Sequence, residues 1–121
     1  MAKILVVDDE AGYRLNLGRV AAREGHQVEA AGDPDCALEL ARSFAPDVLI
    51  VDWMLSGGAD GLDLASSLRG LNDELTVVLI SGYPSAQLQT RADEVGVFEL
   101  LSKPFDLSAL QDTLRRATAR A

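Results

Sequence analysis

DVLIVDWML, residues 47–55, places four consecutive aliphatic residues, Val48 to Val51, ahead of a single carboxylate, Asp52. A run of this kind has no alternation between apolar and polar positions. It therefore predicts a strand covered on both faces, which is the habit of a parallel sheet. Similar runs lie on either side of it: Lys3–Val7, Gln27–Ala31, Asp47–Asp52 itself, Thr76–Ser81 and Val97–Leu101. Only Gln27–Ala31 alternates, weakly, and it reads as an edge strand.

Segments of helical length separate the runs. Leu17, Val20 and Ala21 share a face of the first, which Gly25 ends. Asp33 and Pro34 open the second, with Leu38, Ala41 and Phe44 as its stripe and Pro46 as its stop. The third covers about Gly61–Leu71, and the fourth runs from after Pro84 to about Glu94, before Gly96. The last starts near Asp106 or Ser108, with Leu107, Leu110 and Leu114 as its stripe. The alternation predicts an α/β fold, a (βα)5 doubly wound sheet of five parallel strands with helices on both faces. Its common strand order, 2-1-3-4-5, puts the ligand crevice at the carboxyl ends of strands 1 and 3.

The predicted strand ends carry capable side chains: Asp8 and Asp9 after strand 1, Asp52 on strand 3, Ser81 on strand 4 and Lys103 beyond strand 5. Singly, each has a plainer use. Asp8-Asp9 can cap a helix, Asp52 can begin a turn, Ser81-Gly82 is a turn and Lys103-Pro104 a loop. Together at one rim, three carboxylates repel one another and call for a cation. Oxygen donors suit Mg²⁺. The Lys supplies a compact positive charge for an anion and the Ser a hydrogen-bond donor. Such a pocket suits a phosphoryl group on a carboxylate.

Bulk composition fits this picture. The 121 residues suffice for one domain with one core, and the net charge of −8 argues against nucleic acid as a direct partner. A single cysteine, Cys36, excludes an internal disulfide and fits a reducing cytoplasm. No apolar run reaches membrane-spanning length, and no signal-peptide pattern opens the chain.

From about Lys3 to Arg116 the chain resembles the receiver domain of two-component response regulators. ILVVDDE resembles that family's acidic-pocket strand, DVLIVDWML its phosphoacceptor strand, TVVLISGY the strand ending in the switch hydroxyl, and LLSKPF the lysine loop. The resemblance implies a single receiver domain over 1–121. In it Asp52 is the nucleophile and phosphoacceptor, Lys103 pairs with the phosphoryl group and Ser81 hydrogen-bonds it. Mg²⁺ is bound directly by Asp9, Asp52 and the main-chain carbonyl of Met54, with Asp8 reaching it mainly through water. The amides near Trp53, Met54 and Gly82 are further phosphate donors. The phosphoryl donor is a histidine kinase or a histidine phosphotransfer protein. Output passes to a downstream domain or protein, with a phosphorylation-dependent homodimer among the family's modes. The module is then a cytoplasmic phosphoacceptor signalling domain and not a turnover enzyme. It catalyses only its own phosphoryl transfer and slow autodephosphorylation.

Several positions depart from the pattern. MLSGGADG has Ser56 where the family often has Pro and reads as a loop one residue longer, like a Gly-Gly receiver subgroup often seen in hybrid sensor kinases. The switch hydroxyl is Ser in place of the commoner Thr. Leu100 stands where an aromatic switch residue is usual, and Met54 and Tyr83 occupy the positions that shape water access. Tyr13 reads either as part of a kinase-docking surface or as a half-buried aromatic at a helix start. His26 reads as a solvated loop residue, Cys36 as helix packing, and RRATARA (115–121) as a basic helix end or the start of a linker. Two rival functions remain. One is a phosphorylation-independent receiver-like scaffold, which Leu100 favours. The other is a hydrolase with a covalent Asp, which needs a substrate pocket that the short loops leave little room for.

Overall fold

A computed structural model describes residues 1–119. The elements are β1 (Lys3–Val7), α1 (Ala11–Arg23), β2 (Gln27–Ala31), α2 (Pro34–Phe44), β3 (Val48–Asp52), α3 (Gly61–Leu71), β4 (Thr76–Ser81), α4 (Ala86–Val95), β5 (Glu99–Ser102) and α5 (Leu107–Thr118). A short 3-10 turn, Ser56–Gly58, precedes α3. All neighbouring strands pair in parallel, in the order β2-β1-β3-β4-β5. This is the expected doubly wound sheet.

The pleat divides the core in two. Leu5, Val7, Leu49, Val51, Val77 and Leu79 face α2, α3 and α4, where Ala37, Leu62, Ala65, Leu68, Leu88 and Ala92 meet them. Ile4, Val6, Val48, Ile50, Val78 and Ile80 face α1 and α5, against Leu17, Ala21, Leu110, Leu114 and Ala117. Alternate residues of one strand thus feed opposite layers, so β3 and β4 are buried throughout. At 25 cal/mol per Å², each such aliphatic side chain contributes roughly 1.5–3 kcal/mol.

Side-chain caps set several helix starts. Asp33 accepts from the Cys36 amide, Asp60 from that of Leu62, Ser85 from that of Leu88 and Asp106 from that of Ala109. α2 ends at Ala45, which takes a left-handed conformation with φ 51°.

Some expectations need correction. β5 starts at Glu99, because the Val97 amide still bonds the Ala92 carbonyl and closes the end of α4. It is a second edge strand and only half-buried. Cys36 is exposed on α2, whose buried positions are Ala37 and Ala41. Leu107 is also exposed, and Thr113 and Ala117 complete the buried face of α5 in its place. His26 is tied to the sheet, since its Nδ1 accepts the Ala2 amide at 3.0 Å. The last two residues of the RRATARA segment lie outside the described residues.

Candidate phosphoryl and metal site

Four strand ends converge at the carboxyl edge of the sheet. β1 and β3 are adjacent and in register, Val7 opposite Val51, so Asp8 and Asp52 leave the sheet side by side. Asp52 lies opposite Ile80 on β4, which brings Ser81 to the same rim, and the Lys103 amide bonds the Ser81 carbonyl at 2.8 Å.

Lys103 is the centre of the arrangement. Its Nζ donates to Asp52 Oδ2 at 2.8 Å and to Asp8 Oδ2 at 3.0 Å, and lies 3.5 Å from Glu10 Oε1. Its side chain is 8% exposed, and Asp8 is fully buried. Burial alone would push the ammonium down. The hydrogen bonds it donates to Asp52 and Asp8, with their charges, outweigh burial and hold Lys103 above its usual range. Burial has the opposite effect on Asp8, whose carboxyl is raised despite the Glu10 amide and Lys103 that favour its charge.

Other parts fix the frame. Arg14 donates to the Asp8 carbonyl at 2.7 Å, and the Glu10 amide to Asp8 Oδ1 at 2.9 Å. Asp52 Oδ1 lies 3.4 Å from the Met54 amide. Gly61, at the start of α3, has no room for a side chain: a Cβ there would sit 2.0 Å from the Asp52 carbonyl oxygen. The Gly61 amide bonds the Trp53 carbonyl at 2.6 Å, so this glycine lets α3 close directly onto the end of β3.

The sequence-expected residues divide into those brought together and those held apart. Asp8, Asp52 and Lys103 touch. Ser81 is buried beside them, its Oγ accepting the Tyr83 amide at 3.0 Å. Asp9 is exposed, and its Oδ2 accepts from the Ser56 hydroxyl at 2.9 Å. Met54 is joined to Asp60 through an antiparallel bridge, and its side chain is 59% exposed. Tyr83 is likewise exposed.

Sequence reasoning passed over Glu10. Oxygens of Asp8, Glu10 and Asp52 all lie within 4.8 Å of one another. An all-carboxylate donor set of this kind fits a hard cation such as Mg²⁺. The signal was present in the third acid of the DDE run.

A family model described as the response regulator receiver domain matches residues 4–115. Sporulation initiation phosphotransferase F of Bacillus subtilis is 27% identical over 94% of this chain and 91% of its own length. Response regulator MprA of Mycobacterium tuberculosis is 34% identical over 98% of this chain, which spans 51% of that protein. Among solved structures, the receiver domain of NtrX from Brucella abortus superposes with a TM-score of 0.90 at 34% identity, covering 98% of this chain and 99% of that one. A CheY-like receiver protein from Methanospirillum hungatei, 19% identical, covers 99% of this chain and 96% of its own with a TM-score of 0.91, a likeness of fold.

Proposed function

This chain belongs to the response regulator receiver domain family, the signalling domain of two-component systems, and from that premise we propose that it is a phosphorylation-dependent switch with Asp52 as acceptor. The observation that supports this most is the ion pair at the end of a central strand, with Lys103 Nζ 2.8 Å from Asp52 Oδ2. A carboxylate oxygen of Asp52 attacks the phosphorus of a phosphohistidine. The P–N bond breaks and the imidazole leaves. The donor is a histidine kinase or a histidine phosphotransfer protein. Lys103 neutralises the transferring oxygens, Ser81 donates to them, and the amides of Met54 and Gly82 add further donors, whereas the expected Trp53 amide is taken by the Ile80 carbonyl at 2.8 Å.

Mg²⁺ supplies charge neutralisation for the same oxygens. Asp9, Asp52 and the Met54 carbonyl would hold it, with Asp8 acting through water. Ser56 occupies one lone pair of Asp9, and a carboxylate has others to give. Glu10 lies close enough to Asp8 and Asp52 to share the role. The Ser56-Gly57-Gly58 turn supports reading the chain as a Gly-Gly receiver, and we assign residues 1–121 to one cytoplasmic receiver domain that turns over no separate substrate. Output would reach a downstream domain or protein, or a phosphorylation-dependent homodimer. The rival reading, a phosphorylation-independent scaffold, draws on Leu100 alone.

Trp53 directly follows Asp52 and packs partly against the core, so it reports on the site. Its emission should change on addition of Mg²⁺ and again with beryllofluoride, which stands in for the phosphoryl group. Calorimetry that shows both ligands binding while the spectrum stays fixed would contradict a site beside Trp53. Absence of any binding would favour the scaffold.

A further inference from the structure

Lys103 has one more neighbour, and it carries no charge. Its Nζ lies 4.0 Å from the centroid of the Tyr13 ring. Tyr13 is half-buried in the first turn of α1, and its ring leans on Phe105 with centroids 6.0 Å apart at 56°. The ammonium therefore sits between a wall of carboxylates and an aromatic face.

These two attractions respond differently to a bound ligand. The pull of Asp8, Glu10 and Asp52 on Lys103 depends on their negative charge. A divalent cation among them takes up that charge before a phosphoryl group, itself an anion that Lys103 can pair with, has arrived. The ring holds a cation through its quadrupole, which the metal does not alter. We propose that Tyr13 is a positioning residue for Lys103, keeping the ammonium at the acceptor while the carboxylates are engaged elsewhere. The inference rests on the reading of Asp52 as phosphoacceptor. It also gives Tyr13 a role separate from docking, since the ring acts on the lysine of its own chain.

The test uses the whole chain with Mg²⁺ and beryllofluoride, so that no protein donor has to dock. Tyr13→Leu should weaken beryllofluoride affinity by about three- to thirtyfold, the range of a partly desolvated cation–π contact. Tyr13→Phe keeps the ring and should stay within about twofold of wild type, on the same principle. The Lys103 ε-methylene protons, read by NMR, should show an upfield ring-current shift in wild type and Tyr13→Phe that disappears in Tyr13→Leu. The shift reports that the ring lies over Lys103, and a merely structural role for Tyr13 would not make affinity follow the electron density of the ring face. Should Tyr13→Leu fail to fold, stepwise fluorinated phenylalanines at position 13 keep the shape and weaken the ring face. Affinity should then fall with each fluorine. Affinity in Tyr13→Leu equal to wild type, or unchanged across the fluorinated series, overturns the inference while leaving Asp52 untouched. Failure of wild type to bind beryllofluoride, or equal binding by Asp52→Asn, overturns the Asp52 reading and Tyr13 with it.

Discussion

Asp8 shows what a buried carboxylate costs the fold. Folding buries it completely and raises its carboxyl, with burial as the largest cause. An acid raised by folding holds its proton more tightly folded than unfolded. Ionised Asp8 therefore costs stability at neutral pH, and the cost fades as pH falls through its raised folded range. In EDTA at pH 7, Asp8→Asn should raise the unfolding free energy by on the order of 1 kcal/mol, and the gain should shrink toward acid pH. Urea unfolding of the two proteins across pH checks this, and an unchanged or lowered stability at pH 7 would refute it. Asp52, Asp8 and Lys103 were legible in the sequence because each ends or follows a strand, and strand ends share an edge. The contacts of Asp9 with Ser56 and of Lys103 with Tyr13 were not, because they depend on side-chain direction beyond any periodicity.

At the level of elements, α4 is the part best placed to move. Ser81 Oγ accepts the Tyr83 amide, so a hydroxyl drawn toward a phosphoryl group must release that amide and loosen the loop from Gly82 to Ser85. The loop leads into α4, which shows only Leu88 and Ala92 as buried residues. Arg91 of α4 also grips Asp60, the cap of α3, at 2.8 Å, joining α4 to the segment packed against the Asp52 carbonyl. Leu100 is half-buried on the α2–α3–α4 side of the sheet and has no ring to reorient. A partner selects the phosphorylated form only by touching something that differs between states. Amide hydrogen exchange with beryllofluoride should therefore change between Gly82 and Glu94. Changes confined to β5 and α5 would refute this route. The buried strands β3 and β4 were the most legible elements, being aliphatic without interruption. β5 was misplaced because Val97 and Phe98 are apolar enough to read as strand, while the backbone at Val97 is still closing α4.

On the scale of the molecule, one sheet edge gathers the chemistry while its two faces supply the stability, so site and core draw on different residues of the same strands. The chain spans 51% of MprA but 91% of phosphotransferase F. Among the described residues, no helix is long and apolar enough to cross a membrane. The central claim is that this edge accepts a phosphoryl group on Asp52, and incubation with phosphoramidate and Mg²⁺ followed by intact-mass measurement tests it most directly. Wild type should gain the mass of one phosphoryl group, gain none when EDTA is present from the start, and show no gain as Asp52→Asn. A variant lacking Asp52 that labels as readily as wild type, or a wild type that never labels, would contradict the account.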